Sequence, residues 1–307
     1  CRDFNSLNFN PCLSLLTYRM SSISTRKKDH IDLTLNDSSQ YKRPTGFQMY
    51  QLKHNALPEC GLDDISFRSQ LLGSEFEFPL FISSMTGGHG EATNLNAEIA
   101  TFCEHFKIPF GVGSQRVMLE DSTHKKSFAI VRKKAPNAFI AANIGGAQLI
   151  GGMPSNRLQS MINSIQANAV IVHLNPLQEL IQPEGDTQFD GVLKGIEQLV
   201  NESSVPLIVK ETGAGIDSAV AKRLLNVGVK VIDVAGVGGT SWSRVEAARI
   251  SSRPETDKVG STLTRKYELE MQERFNEWGN STVYCLKSLQ ELAWEREFEI
   301  IASGGIR

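Results

Sequence analysis

The chain contains no long hydrophobic run and no excess of charge of either sign. No stretch of its 307 residues reaches the ~20 consecutive apolar residues that a membrane helix needs. The formal net charge is −2, and acidic and basic residues are mixed along the whole chain. A nucleic-acid-binding protein usually shows a basic patch or stripe, which this sequence lacks. We therefore expect neither a membrane nor a nucleic acid as a partner.

Cysteine is also scarce. The five cysteines are odd in number, far apart and without metal-ligand spacing; they are Cys1, Cys12, Cys60, Cys103 and Cys285. Disulfides persist in oxidising compartments, so a pattern of this kind predicts free or buried thiols and a cytoplasmic location.

The first residues differ from the rest of the chain. The segment 12–16 is too short and too weakly apolar for a secretion signal. We expect residues 1–25 to be a disordered or untranslated extension, with Met20 as the true start. Residues 26–77 open with a charged cluster and then alternate without long periodic runs, which predicts an irregular N-terminal arm with a few short strands.

From residue 78 to residue 307 the sequence alternates strand-like and helical patterns. The predicted strands are Leu80–Ser83, Pro109–Val112, Phe139–Ala142, Ala169–Val172, Leu207–Val209, Val229–Val234 and Glu299–Ala302. The predicted helices are Asn94–Lys107, Leu119–Ala135, Ser155–Ala167, Gly191–Glu202, Ser218–Asn226 and Ser288–Arg296. Such alternation is typical of βαβ units and a parallel sheet. The periodicity alone leaves a closed barrel and an open doubly wound sheet equally possible.

The ends of the predicted strands favour the barrel. Each strand runs into glycine or hydrogen-bonding residues, at 83–88, 111–116, 143–146, 173–179, 210–215, 236–240 and 303–307. Glycine lets a backbone approach a ligand closely, and exposed amides there bind phosphate. A ring of ligand-binding loops around a barrel mouth explains this repetition better than turn chemistry.

The richest of these segments is His173-Leu-Asn-Pro-Leu-Gln-Glu179, after the apolar run Ala169–Val172. Active sites of α/β proteins lie at the carboxyl ends of buried parallel strands, which predicts a functional role for its polar residues. Alternatively, Asn175 and Pro176 only begin the next helix. Lys210 closes another buried strand, where it either pairs with an anionic cofactor group or extends from the rim into solvent.

Several motifs together resemble the type 2 isopentenyl-diphosphate isomerases, which are FMN-dependent enzymes of isoprenoid synthesis. The resemblance runs from Arg26 to Arg307. Its motifs are RKKDH, HNALPE, SSMTGG, GVGSQR, HLNPLQE, KETGAG, GVGGTSW and SGGIR. The resemblance implies a (β/α)8 barrel, reduced FMN, a divalent metal and a homo-oligomer, either a tetramer or an octamer.

The resemblance also implies roles for individual residues. FMN would be held by Ser84, Met85, Thr86, Ser114, Asn143, Lys210, Thr240, Gly304 and Gly305. The diphosphate substrate would be bound by Arg26, Lys27, His30, Ser114, Gln115, Arg116, His173, Asn175, Gln178 and Trp242. Glu179 would ligate Mg²⁺, a hard cation that binds carboxylates together with substrate phosphates. Gln178 and Glu246 would be the protein groups nearest the proton transfer, and NADPH would reduce the flavin.

The sequence departs from the family's pattern at its end, because it stops inside the glycine-containing loop 303–307 after the seventh predicted strand. Seven of eight barrel units are therefore expected, and we expect the chain to be a fragment of a longer protein. Two alternatives remain open. One is an inactive flavin-binding fragment, and the other is an FMN-dependent oxidoreductase of the hydroxy-acid oxidase kind, although no catalytic histidine–arginine pair is evident in the late loops.

Overall fold

A computed structural model describes residues 27, 29–35, 37–84, 87–88, 91–182, 185–251, 270 and 272–306. Arg26, Met85 and Thr86, which were predicted to bind ligands, lie outside the described residues, as does the predicted extension.

The described strands form two sheets. A short antiparallel hairpin consists of β1 (Ser69–Leu71) and β2 (Ser74–Phe76). The main sheet consists of β3 (Phe110–Gly111), β4 (Ile140–Gly145), β5 (Ala169–Leu174), β6 (Leu207–Glu211), β7 (Val231–Asp233) and β8 (Glu299–Ile301). Its strands are parallel and lie in sequential order, which confirms the predicted α/β class. An open doubly wound sheet reverses its strand order, and the described sheet does not.

The prediction of seven strands is not confirmed. The run Leu80–Ser83 was predicted as the first strand, but in the described region it makes only one parallel bridge, between Ile82 and Phe110. The other six predicted runs each overlap one strand of the sheet, and three of those strands extend two or three residues beyond the predicted end. Apolar composition identified these six buried strands. Whether a run such as Leu80–Ser83 forms a full strand also depends on how many hydrogen bonds its neighbouring strand can make with it.

The helices largely follow the predicted pattern. They are α1 (residues 29–34), α2 (Ala92–Phe106), α3 (Arg116–Glu120), α4 (Lys125–Lys134), α5 (Ser155–Ile165), α6 (Pro176–Ile181), α7 (Val192–Glu202), α8 (Ser218–Asn226), α9 (Trp242–Ser251), α10 (272–275) and α11 (Thr282–Glu295).

Two helix predictions were wrong in their bounds. The predicted helix 119–135 is divided, because the Asp121 side chain accepts a hydrogen bond from the Thr123 amide and caps a separate 3-10 turn. The last helix begins at Thr282 rather than Ser288, since the Ser281 hydroxyl accepts from the Tyr284 amide at its start.

The main sheet has two different faces. Val170, Val172 and the other alternate residues pack against the helices. Ala169 and Ile171 face the opposite side, where the hairpin residues Leu71 and Phe76 pack on them. We call this second side, covered by the hairpin, the inner face. Because successive strand residues point to opposite faces, the residue two positions further along each strand also lies on the inner face, nearer the carboxyl end of the strand. This geometry positions the candidate site.

None of the helices in the described ranges is long and apolar enough to cross a membrane. Cys60, Cys103 and Cys285 are free thiols, as predicted, and burial raises the pKa of Cys103 and of Cys285 to about 12.

Candidate active site

Four polar side chains lie on the inner face at the carboxyl ends of adjacent strands. Asn143, His173, Lys210 and Asp233 each follow an inner-face residue of their strand at the spacing of two. The register places His173 beside Lys210, and Lys210 beside Asp233. The structure therefore brings together three predicted residues and adds Asp233. An acid inside the apolar run 229–234 was the sequence signal for this fourth residue.

Hydrogen bonds determine which nitrogen of His173 carries the proton. The Asn143 amide nitrogen donates to the Val112 carbonyl at 3.1 Å, so the Asn143 oxygen faces His173 Nδ1 at 2.9 Å. Nδ1 is then the donor. Burial, together with the positive charges of Lys210 and Lys27, lowers the pKa of His173 to about 3. The ring is neutral at pH 7, and Nε2 is a hydrogen-bond acceptor.

Lys210 is a buried cation with donors to spare. Its Nζ donates to the Glu211 carbonyl oxygen at 3.1 Å, and no carboxylate of the described chain forms an ion pair with it. Burial lowers the pKa of Lys210, and the charges of Asp233 and Glu211 oppose that shift. Burial raises the pKa of Asp233, while Lys210 and a hydrogen bond from the Ser303 hydroxyl lower it. Such an ammonium group can accept an anionic ligand atom as an additional partner.

The loop after β6 is organised by its own carboxylate. Glu211 Oε2 accepts hydrogen bonds from the amides of four successive residues, Thr212 to Gly215. Consecutive amides of this kind form an anion-binding concavity, and here the occupant is Glu211 itself. The predicted role of Lys210 at this strand end thus depends on a loop that Glu211 holds in place.

A second polar cluster joins α6 to α9. Asn175 Nδ2 donates to Gln178 Oε1 at 3.1 Å and to Glu179 Oε1 at 3.0 Å. Gln178 Nε2 in turn donates to Glu246 Oε1 at 3.2 Å. The structure therefore links the predicted metal ligand to both predicted catalytic residues. Asn175 is also the residue before α6, and Pro176 occupies the first helical position. The two residues therefore begin a helix, as the alternative interpretation of this segment predicted.

Glu246 is fully buried and has partners on three helices. His30 on α1 contacts Glu246 Oε1 at 2.8 Å, and Arg249 on α9 contacts Glu246 Oε2 at 2.5 Å. Burial alone would raise the pKa of Glu246, but these groups and Gln178 lower it to about 2. The carboxylate is therefore ionised at neutral pH. Trp242 packs edge-on against the His30 ring, with 5.0 Å between the ring centroids.

A cavity of about 590 Å³ lies beside the residues 185–188 that follow α6. It is lined in part by Arg116, Gln148 and Asp186. Arg116 bonds to Glu120 at 2.9 Å and to Asp186 at 2.8 Å. Glu179 Oε2 accepts from the Asp186 amide at 2.7 Å, so Glu179 connects this cavity with the second cluster. No group of three His, Cys, Asp or Glu side chains in the described ranges is arranged to hold a metal without further ligands.

The remaining predicted residues lie around these clusters. Lys27 Nζ donates to the carbonyl oxygens of Gly87 and Ser114. Gln115 is fully buried, and its side-chain Nε2 donates to Met161 O and Ser164 Oγ. Its Oε1 accepts from the Asn143 backbone amide, so both ends of the side-chain amide have protein partners. The Thr240 hydroxyl accepts from Gln40 Nε2 at 3.3 Å. Ser84 has a buried hydroxyl without a hydrogen-bond partner in the described part of the chain.

The two last glycine loops touch each other. A Cβ on Gly304 would come within 2.1 Å of the Gly236 carbonyl oxygen, and Gly304 has a φ of 99°. Only glycine satisfies both conditions. Gly304 and Gly305, which were predicted to bind phosphate, therefore lie directly beside the loop that leads to Thr240.

A sequential parallel sheet with one ionisable cluster at the carboxyl ends of its strands and a second on helices α1, α6 and α9 is the arrangement of an α/β enzyme. The chain is 45% identical over 290 residues to the isopentenyl-diphosphate delta-isomerase of Chlorobium phaeovibrioides, covering 94% of this chain and 80% of the relative. It is 45% identical to the protein of the same name from Chlorobium luteolum, over 93% of this chain and 79% of the relative. The chain belongs to the isopentenyl-diphosphate delta-isomerase family, as its motifs predicted.

A more distant relative of the same name, from Nostoc sp., is 40% identical over 92% of this chain and 77% of the relative. No protein-family model matches the chain. Among solved structures, the monotopic membrane protein (S)-mandelate dehydrogenase aligns with 76% of this chain and 77% of its own at a TM-score of 0.46 and 12% identity, a likeness too weak to carry an argument.

Proposed function

We propose that this protein converts isopentenyl diphosphate into dimethylallyl diphosphate, a reaction of isoprenoid biosynthesis. The observation that carries the proposal is the hydrogen-bonded cluster of Glu179, Asn175, Gln178 and Glu246, in a chain that belongs to the family of that name. We further propose that the complete sheet is a (β/α)8 barrel, which the sequential strand order supports. The proposal includes a cytoplasmic homo-oligomer, a tetramer or an octamer.

Reduced FMN is the proposed cofactor, and NADPH its proposed reductant. The inner-face cluster fits a flavin, because Ser84 has a buried hydroxyl without a partner and Lys210 has spare donors. Asn143 and Lys210 would hold the flavin, while Ser114, Thr240, Gly304 and Gly305 would lie along it with Met85 and Thr86. Bound reduced flavin would supply an acid–base group that can act on an unactivated double bond without net redox change.

The protein groups beside that chemistry are Gln178 and Glu246. Glu246 is ionised, so it acts as an acceptor that orients the Gln178 amide rather than as a proton donor. His30 contacts Glu246, and Trp242 packs against the His30 ring. The two side chains would cover the reacting end of the substrate and exclude water from it.

The diphosphate end needs positive charge. Lys27 and Arg116 supply it, and Arg26 is proposed to add to it. Glu179 would ligate Mg²⁺ together with the substrate phosphates, because a single carboxylate with phosphate oxygens is a common magnesium site. His173 would help to shape this end of the site, and Asn175 would hold Glu179 in place.

The test is an anaerobic assay of the purified protein with isopentenyl diphosphate, Mg²⁺, FMN and NADPH. We expect dimethylallyl diphosphate to form only when the flavin is reduced, with far less than one NADPH consumed per product. Stoichiometric consumption of NADPH would instead support the oxidoreductase. Absence of product with reduced flavin bound to the protein would contradict the isomerase.

A further inference from the structure

Arg249 is one of the largest fully buried side chains of the described chain, and neither the motifs nor the spacing predicted a role for it. It lies one helical turn after Glu246 on α9, and its side chain is 2% exposed. Arg249 NH1 lies 2.5 Å from Glu246 Oε2, and its Nε lies 3.9 Å from Asp29 Oδ2 on α1. A guanidinium stays charged at every physiological pH, so Glu246 has a permanent counter-charge at one oxygen.

The two oxygens of Glu246 have different partners. Oε2 is held by Arg249, while Oε1 accepts from Gln178 and contacts His30. A protonated Glu246 would lose acceptor capacity, and the Gln178 amide would lose the partner that fixes its orientation. Burial of a carboxylate without a cation would favour that protonated state.

We infer that Arg249 is a positioning residue of the proposed site, which acts by keeping Glu246 ionised and by fixing the carboxylate so that Oε1 faces Gln178. This inference rests on the proposed function for its kinetic part only. Arg249 also joins α9 to α1 through Asp29, next to His30. One guanidinium thus holds the catalytic carboxylate and the helix that covers it, which a lysine with a single ammonium group cannot reproduce in full.

The test is a double-mutant cycle on the full chain. The variants are Arg249→Met, Arg249→Lys, Glu246→Gln and the double variant Glu246→Gln with Arg249→Met. Arg244→Met is the matched control, because Arg244 lies on the same helix and pairs with Glu277 at 2.5 Å instead of Glu246. Each variant is assayed for kcat and KM with isopentenyl diphosphate and reduced FMN, and for its thermal unfolding midpoint.

We expect Arg249→Met to lower kcat by at least about tenfold with little change in KM, and Arg249→Lys to lie between it and the wild type. The double variant should have a kcat less than about twofold below that of Glu246→Gln alone, because Arg249 acts through the Glu246 charge and that charge is already gone. Arg244→Met should leave kcat unchanged within about twofold.

The unfolding midpoints decide the inference independently of activity. Arg249→Met should lower the midpoint strongly, since it removes the guanidinium charge from a buried carboxylate, and adding Glu246→Gln should recover much of that loss. The inference would be overturned if the midpoint loss of the double variant equalled the sum of the losses of the two single variants. It would also be overturned if the fold-losses in kcat of the two single variants multiplied in the double variant. An inactive wild type would remove the proposed function, while the midpoint cycle would still accept or reject the Arg249–Glu246 coupling. Should Arg249→Met fail to fold, Arg249→Lys with and without Glu246→Gln gives the same comparison.

Discussion

Glu179 links the second cluster to Asp186, one of the residues that line the cavity. Its two carboxylate oxygens bind different partners, the Asn175 amide group and the Asp186 backbone amide. Its neighbour Gln178 points instead to Glu246. Two adjacent residues of one short helix therefore belong to two different tasks in the proposed reaction, metal binding and orientation of the reacting groups.

Glu179→Gln should weaken the Mg²⁺ dependence of activity. The substitution keeps the size of the side chain and removes the charge that a hard cation needs, so we expect the Mg²⁺ concentration for half-maximal activity to rise by about tenfold or more. Gln178→Ala is the matched control, and it should lower kcat with a smaller effect on the Mg²⁺ requirement. Flavin content, measured by absorbance, should stay the same in both. An unchanged Mg²⁺ requirement in Glu179→Gln would remove Glu179 from the metal site.

His173 should make the stability of the protein depend on pH. Its pKa is lowered to about 3 in the folded state, whereas an unfolded histidine titrates near the usual ~6.5. Between these values the unfolded chain binds one proton more, so its contribution to stability is complete above about pH 6.5 and falls by about 1.4 kcal/mol per unit as the pH is lowered.

Urea unfolding of the wild type and of His173→Gln between pH 7 and pH 5, in steps of about half a unit, measures this slope. The difference between the two curves should shrink as the pH falls. Parallel curves for wild type and His173→Gln would show that His173 is not held neutral.

At the scale of elements, the hairpin β1–β2 is one part of the N-terminal arm that has a clear structural role. Phe76 packs edge-on against Phe139, with 5.8 Å between ring centroids, and both belong to the inner core together with Ile171 and Ile208. The Leu72 amide also donates to both carboxylate oxygens of Glu299 on β8. The hairpin therefore connects the first part of the chain with the last strand of the sheet.

Phe76→Ala should destabilise the protein by about 3–5 kcal/mol, because it removes a large buried ring and leaves a cavity. Phe78→Ala is the matched control, since Phe78 is 40% exposed and the same truncation there should cost less than about 1 kcal/mol. Urea unfolding midpoints of both variants measure the difference. Equal losses at the two positions would show that the hairpin does not fill the inner core.

At the scale of the whole molecule, residues 47–67 of the arm expose several large apolar side chains to solvent. Met49, Leu52, Leu57 and Leu62 are between 71% and 99% exposed. Exposed large apolar side chains of this kind are found at protein–protein interfaces, which supports the proposed homo-oligomer.

Light scattering of the purified protein should therefore give a mass of several chains. Leu52→Glu with Leu62→Glu should shift the protein toward smaller species, because two buried charges would weaken an apolar interface. Gln51→Glu with His54→Glu adds two acidic groups at exposed positions of the same segment and should leave the mass unchanged. A monomeric wild type would contradict the proposed oligomer.

The amino-acid sequence alone determined the α/β class, six of the strands and most of the helices, because apolar periodicity is a local property that each segment carries by itself. It also identified the polar segments at strand ends, including His173, Gln178, Glu179 and Lys210, while Glu246 came from the resemblance to a known family. Only the tertiary structure decided which of these residues meet. His30 reaches Glu246 across 216 positions of sequence, and Asp233 lies beside Lys210 through the register of adjacent strands. The charge state of Glu246 and the role inferred for Arg249 depend on burial and on distances between elements, and no local pattern encodes either.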